Sequence, residues 1–295
     1  MRLTLPGVAA RLGYGMKIPP YWYSTECNID GRMYRLRGVS WESETDARTK
    51  WEAKAELMRR FLESGCSAAM LEKMRSAWQK LDAGEEGEYA VLMPEPVVEQ
   101  LDATNIITRN RYGAEVLNST ELCFIDVDRI PPRPFDWLRR LLGQDTAPEA
   151  CLLEKLHRLV SDGALRGARL YRTSRGWRIL ALEPGLQPDS YRMQVIFEQL
   201  HADELYAHLC AKQQCWRARL TPKPSKVGVP RYPRPVCSAA AQSPETLLWI
   251  AEYAAASAPY AVCRFIETVG EPLRHPLIEL HDARTRALHL DWPLR

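Results

Sequence analysis

Several things are missing from this chain, and each absence removes a class of function. No run of apolar residues is long enough to cross a bilayer, so no membrane partner is expected. The opening "MRLTLPGVAA" has no basic stretch followed by a long apolar one, so a secretory leader is not expected either. Eight Cys stand at irregular spacing, which reads as reduced thiols and a cytoplasmic home rather than a disulfide framework. His208, Cys210 and Cys215 lie close together with Cys237 downstream, but a second clean pair is lacking, and zinc is not expected. "GYG" at 13–15 and the other glycines make no phosphate loop. No Ser/His/Asp or Cys/His catalytic signature stands out, and there is no internal repeat or low-complexity tract. The most informative absence is local. No Asp or Glu occurs from Gly163 to Leu182, and none between Glu204 and Glu245.

What is present supports a folded chain. The 295 residues include nine Trp, too aromatic a composition for disorder, and the length suits one large domain or two modest ones. The formal net charge is only +3, so the distribution of charge says more than its sum. Residues 20–39 predict two strands around the turn "NIDG". Residues 45–82 predict a helical hairpin. Trp51, Ala55, Met58 and Leu62 recur on one face of its first arm, and "SAAMLEKMRSAWQKL" repeats the pattern. Residues 87–96 read as a linker or edge segment. From 103, "ATNIITRN", "GAEVLNS" and "LCFIDVD" are β-rich runs, followed by loop and helix to 162. "GARLYRT" and "GWRILALE" predict a hairpin turned at "TSRG". Residues 190–214 predict helix, as does "SPETLLWIAEYAAASA", with Ser243 as cap and Pro244 at the first position. "YAVCRFIE" and "PLIELHD" read as closing strands. The expected class is α+β, with a mainly antiparallel sheet and flanking helices. The expected division is 1–95, strands plus helical hairpin, and 96–295, an α+β core, or one continuous domain.

Three constellations carry chemistry. In "ELCFIDVDRI", Asp126 and Asp128 end a buried strand two residues apart, which points both carboxylates to one face. Like charges there call for a cation between them: Mg²⁺ or Mn²⁺, which take oxygen ligands, or Arg129 next in line. The alternative is a strand that ends in water. "RGARLYRTSRGWRIL" carries Arg166, Arg169, Arg172, Arg175 and Arg178. Its turn, with Ser174 and Gly176, offers a hydroxyl and backbone N–H groups to an anion, and Trp177 offers a stacking face. The alternative is a solvent-facing hairpin whose Arg stems cover apolar surface. "CWRARLTPKPSKVGVPRYPR" lies in an acid-free stretch holding Lys212, Arg217, Arg219, Lys223, Lys226, Arg231 and Arg234, with Trp216 and Tyr232 interleaved. Its prolines keep it extended, which suits a phosphate backbone or a triphosphate; a plain basic loop is the alternative. Glu279, His281, Asp282 and Asp203 are further groups available to complete a site.

"FIDVD", "YRTSRGWRI" and "RARLTPKP", in that order, resemble the motif order of the archaeo-eukaryotic primase superfamily, the primase-polymerases. The resemblance implies an RRM-like core in which Asp126 and Asp128 match the family's D-x-D and hold Mg or Mn. Asp282 or Asp203 would be its further acid. "TSRGWR" is similar to the S-G-x-G-x-H motif, with Gly176 in place and Arg178 where the family has the histidine that contacts nucleotide phosphates. "RLTPKPSK" is similar in character to the family's R-x-P-x-x-x-K stretch. Over roughly residues 103–290 the chain also resembles an uncharacterised bacterial family sharing "TRNRYGAEVLN", "FIDVD", "YRTSRGWR", "RARLTPKP" and "ELHD". The expected function is metal-dependent nucleotidyl or phosphoryl transfer on nucleoside triphosphate or nucleic acid. Asp126, Asp128 and Arg178 would be catalytic. Arg172, Ser174, Gly176, Arg217, Arg219 and Lys223 would bind phosphate, and Trp177 and Trp216 would stack on a base. Two alternatives stand beside it: a non-catalytic, degenerate nucleic-acid-binding module, and a nucleotide- or nucleotide-sugar-handling enzyme whose D-x-D metal holds a diphosphate.

Overall fold

A computed structural model describes residues 16–29, 31–65, 95–132, 147–183 and 185–295, with 67, 69, 70, 73, 137 and 141–143 as isolated positions. β1 (Tyr21–Ile29) and β2 (Arg32–Ser40) form the expected antiparallel hairpin, with Tyr21 opposite Ser40. α1 (Glu44–Glu63) lies on it. Ser43 caps the helix by accepting the Asp46 N–H, and Met58 and Ala55 pack on Leu36 with Trp51 alongside. The two elements touch closely at Gly38: a Cβ there would stand 1.9 Å from the Ala47 carbonyl oxygen. The second arm of the expected helical hairpin falls almost wholly outside the described residues, as does most of 87–96.

The rest contains two four-stranded antiparallel sheets. One has the order β3-β4-β5-β9, from β3 (Val97–Gln100), β4 (Asn105–Arg109), β5 (Glu115–Ser119) and β9 (Trp216–Arg219). The other has the order β10-β7-β8-β6, from β6 (Cys123–Val127), β7 (Gly167–Thr173), β8 (Trp177–Ala181) and β10 (Cys263–Gly270). β6 reaches β7 through α2 (Pro148–Ser161), and β8 turns back to insert between them. That is a split β-α-β arrangement. α3 (Tyr191–Leu200), α4 (Glu204–Gln213), α5 (Pro244–Ser257) and α6 (Pro276–Thr285) are further helices. One apolar core joins both sheets: Ile107 and Leu117 meet Phe124, Ile125, Leu170 and Ile179, covered by Leu152 and Leu156 of α2 and Met193 and Ile196 of α3. The chain is therefore α+β with antiparallel sheets, as its residue pattern implies.

Two expectations need correction. "PLIELHD" is helix α6, not a strand. A short apolar run has no periodicity that separates the two states, and the flanks decide. Pro276 starts the helix, the His275 ring accepts the Leu277 N–H at 3.2 Å, and Arg286 ends it in the left-handed conformation. Residues 190–214 are two helices, broken at His201, whose φ is +55°, with Asp203 capping the second.

Candidate functional site

The register of β6 on β8 places Asp126 directly opposite Arg178. Arg178 is only 1% exposed, and a buried guanidinium is tolerable only when its donors are met. Its Nε donates to Asp126 Oδ1 at 2.8 Å and its Nη2 to Oδ2 at 3.4 Å. Its Nη1 donates to the Arg219 carbonyl at 2.9 Å and faces His281 Nε2 at 3.5 Å. Burial opposes the charge, but the Asp126 carboxylate outweighs it and holds Arg178 above its ordinary range. The cation beside the first acid is thus Arg178. Arg129 is exposed and forms no ion pair among the described residues.

Behind this pair a buried polar chain runs on through α6 to β7. His281, fully buried in α6, sets Nδ1 3.0 Å from Asp282 Oδ1. Burial lowers the His281 pKa and the Arg178 charge adds to that, against the Asp282 carboxylate. A neutral ring fits both neighbours: Nδ1–H donates to Asp282, and the Nε2 lone pair faces Arg178. Asp282 also accepts from Tyr171 Oη at 2.8 Å and from Arg169 Nη2 at 2.6 Å. Arg169 Nε in turn donates to Tyr171 Oη at 2.7 Å. The chain from Asp126 to Arg169 fixes the relative positions of β6, β7, β8 and α6.

In front of the pair is a mouth with excess positive charge. Arg219, at the end of β9, is partly buried, and its Nη1 is buried with no hydrogen-bond partner among the described residues. Burial and the neighbouring Arg178 lower its pKa, with Asp126 opposing. Lys223 lies next to it. Partial burial, Arg219 and Arg175 lower the Lys223 pKa, and Asp128 opposes them. Arg175 and Ser174 are exposed on the β7–β8 turn. Gly176 lets that turn press on the end of β6: a Cβ at 176 would stand 2.1 Å from the Val127 oxygen and 2.8 Å from the Asp128 Cα. The Gly176 N–H is already given to Thr173 Oγ1 at 3.1 Å, so the turn offers an anion its side chains rather than that amide.

Other expected site residues lie elsewhere. Trp216 is fully buried and packs edge-on against Phe197 at 6.2 Å, so it has no face for a base. Arg217 is buried as well. Its Nη2 binds both Glu95 oxygens at 2.7 and 2.9 Å, and its Nη1 binds Gln213 at 2.5 Å, so it holds the core together and not a phosphate. Trp177 is 6% exposed, with its Nε1 on Glu149 at 3.2 Å and the Arg172 guanidinium 4.3 Å over its ring. The Trp177 face over which Arg172 lies is therefore taken. Arg178 grips Asp126 and is not itself exposed to a ligand.

The third acid is not in place. Asp203 donates its N–H to the Asp126 carbonyl at 2.9 Å, but its carboxylate caps α4 by accepting the Tyr206 N–H at 3.0 Å. Asp282 is committed to the buried chain. Among the described residues no three His, Cys, Asp or Glu side chains cluster as a metal site. Two carboxylates do remain. Asp126 accepts two N–H bonds onto about four lone-pair sites, and Asp128 is exposed. Mg²⁺ is commonly held by one or two carboxylates plus substrate phosphates, so the pair fits an ion that arrives with a triphosphate.

Sequence reading missed two tyrosines. Tyr253 of α5 donates to the Pro222 carbonyl and bonds Thr221 Oγ1 at 2.8 Å, fixing the chain that carries Lys223. Tyr112, 51% exposed on the β4–β5 turn, lies within electrostatic range of Lys223. The sequence signals for Tyr112 are its place after Arg111 in a turn and its position within "TRNRYGAEVLN". No family model, curated protein or solved structure matches this chain.

Proposed function

We propose that this chain binds the phosphates of a nucleotide or nucleic acid at the mouth formed by Arg175, Arg219 and Lys223. The observation that carries the reading is Arg219 Nη1, buried without an acceptor among the described residues and beside a second buried guanidinium. A buried donor left unmet costs about 1–3 kcal/mol, more when charged, and a ligand oxygen removes that cost. An anion also supplies the missing charge. Asp126 is taken by Arg178, so the mouth sets three cations against Asp128 alone. Phosphate matches the guanidinium fork, and Lys223 adds a point charge.

A second reading, metal-dependent nucleotidyl transfer in a primase-polymerase-like core, is favoured by Asp128. It is an exposed acid among cations, next to an Asp126 with acceptor capacity to spare. Asp126 and Asp128 would hold Mg²⁺ or Mn²⁺ brought in with the triphosphate. The ion would neutralise charge at the transferring phosphoryl group.

Thermal melting with ATP, with and without Mn²⁺, tests both. Ligand at about 100 times Kd stabilises the folded state by about 2.7 kcal/mol, enough to move the midpoint by several degrees. Wild type is expected to shift with ATP alone and Arg219→Gln is not. An unchanged shift in Arg219→Gln removes the mouth as the site. An extra Mn²⁺-dependent shift that Asp128→Asn abolishes supports the transfer reading. A larger shift with UDP-glucose plus Mn²⁺ than with ATP plus Mn²⁺ favours a nucleotide-sugar ligand instead.

A further inference from the structure

Residues 221–238 have the composition of a floppy loop but are tied down along their length. Thr221 Oγ1 accepts the Glu115 N–H at 2.8 Å, which fixes the segment to β5. Tyr253 holds Pro222, and the Trp249 indole donates to the Pro230 carbonyl at 2.9 Å, which fixes it to α5. The buried Tyr232 ring lies 4.9 Å from Trp249. Gly113 of the β4–β5 turn meets this aromatic pair so closely that a Cβ there would stand 2.3 Å from Trp249. The Val236 carbonyl accepts from the Ser24 N–H at 2.6 Å and the Ser238 N–H donates to the Trp22 carbonyl at 3.2 Å, which fixes the far end to β1.

Most inward groups are held, the buried Tyr232 hydroxyl finding no partner among the described residues, and the outward charges are all cations. Lys223, Lys226, Arg231 and Arg234 are all exposed, and none forms an ion pair among the described residues. The β4–β5 turn adds Arg111, 4.7 Å over the exposed Tyr112 ring. Tyr112 is within electrostatic range of both Lys223 and Arg234, so it joins the mouth to an outer group of Arg111, Arg231, Arg234 and Arg35. Arg35 of β2 is partly neutralised by Glu26 at 2.8 Å. Partial burial and the neighbouring arginines lower the Arg234 pKa, a sign that these charges repel one another. An ordered extended strap with like charges on its outer side is complementary to a polyanion. An exposed tyrosine among arginines adds a stacking surface, which a base uses and an acidic peptide does not.

We propose that this strap is a track for single-stranded nucleic acid, running from the mouth over Tyr112 to Arg231, Arg234 and Arg35. It rests on the phosphate reading of the mouth and extends it from one nucleotide to several. The mouth takes a terminal or internal phosphate, Tyr112 stacks on a base, and the outer arginines take later phosphates.

The test compares ATP, dT3 and fluorescein-labelled dT20 on wild type, Arg231→Ala/Arg234→Ala and Tyr112→Ala. All three positions are exposed, and unchanged melting midpoints confirm intact folding. Wild type is expected to bind dT20 at least tenfold more tightly than dT3. The arginine pair variant should lose roughly tenfold for dT20 and leave ATP unchanged. Its log–log salt slope should shrink by about 1.4, at about 0.7 per phosphate contact. Tyr112→Ala should lose at least fivefold for dT20, the lower end for one stacked base. Equal affinity for dT3 and dT20, or dT20 binding unaffected by the arginine changes, overturns the track while ATP binding leaves the mouth standing. Polyglutamate that displaces dT20 at equal charge overturns it in favour of an acidic protein partner. Absence of ATP and dT20 binding together removes the phosphate reading itself.

Discussion

Arg178 decides what Asp126 is free to do. Removing the carboxylate strands a fully buried guanidinium, whereas the exposed Asp128 forms no ion pair among the described residues. Asp126→Asn is expected to destabilise the fold by about 3 kcal/mol, the low end for a broken buried pair because Asp126 is a third exposed. Asp128→Asn should stay within about 0.5 kcal/mol of wild type, as for a surface change. Urea unfolding of the two variants checks this; equal losses would mean that the Arg178 pair is not what anchors β6. Asp128 is therefore the cleaner probe of ligand binding. The acid pair was legible in the sequence, and so was the acid-free company of Arg219 and Lys223. The partner of Asp126 was not. Period-2 alternation tells which face a residue takes but not which strand lies beside it, and Arg178 is 52 residues away. For the same reason Trp216 and Arg217 looked available. β9 is buried along Trp216, Arg217 and Ala218, and only the pairing with β5 and the distant Glu95 shows it.

At the scale of elements, hairpins were readable because turn chemistry is local. "NIDG" and "TSRG" mark their strands, and Ser243–Pro244 marks the start of α5. α6 was not readable as a helix, because five apolar-rich residues between prolines and acids satisfy either period. Its misreading hid the role of His281, which links α6 to β8. That link has a pH signature. The ordinary histidine pKa is about 6.5, and burial holds His281 below it in the native chain. Between those two values the unfolded chain binds a proton that the native chain does not. Stability is therefore full above pH 6.5 and falls as pH drops toward the native pKa. Urea midpoints between pH 7.5 and 5.5 should fall for wild type, and fall less for His281→Gln, which keeps a polar group there without the titration. His201, whose pKa burial also lowers, contributes equally to both proteins and cancels. Parallel curves for the two proteins would show that His281 titrates alike in the native and unfolded chain, so that burial does not lower its pKa.

Across the whole molecule, the strap 221–238 connects parts that are far apart in sequence. At its end the N-terminal turn of α1 takes hold: Glu44 accepts from Ser238 Oγ at 2.6 Å and from the Ala239 N–H at 2.7 Å. Burial would raise the Glu44 pKa, but these two bonds outweigh it and the net shift is downward. The carboxylate also sits favourably at a helix N-terminus. The β1–β2 hairpin, which carries Arg35, is thus held against the strap by Glu44 below and by the Ser24–Val236 bond beside it. Glu44→Ala is expected to cost about 1 kcal/mol overall, the net worth of one ordinary hydrogen bond, because near the surface water replaces the lost partners. Its larger effect should be local. Hydrogen exchange at the Ser24 and Ser238 amides should speed up, while the Ile179 amide, in the middle of the sheet, keeps its wild-type rate. If the strap is the track proposed above, dT20 affinity should weaken in the same variant with ATP affinity unchanged, because Arg35 and Arg234 lose their fixed spacing and ordering them falls to the ligand. Unchanged exchange at Ser24 would show that the hairpin is held by other contacts; loss of the Glu44 charge can only favour a polyanion, so no weakening of dT20 binding would then be expected.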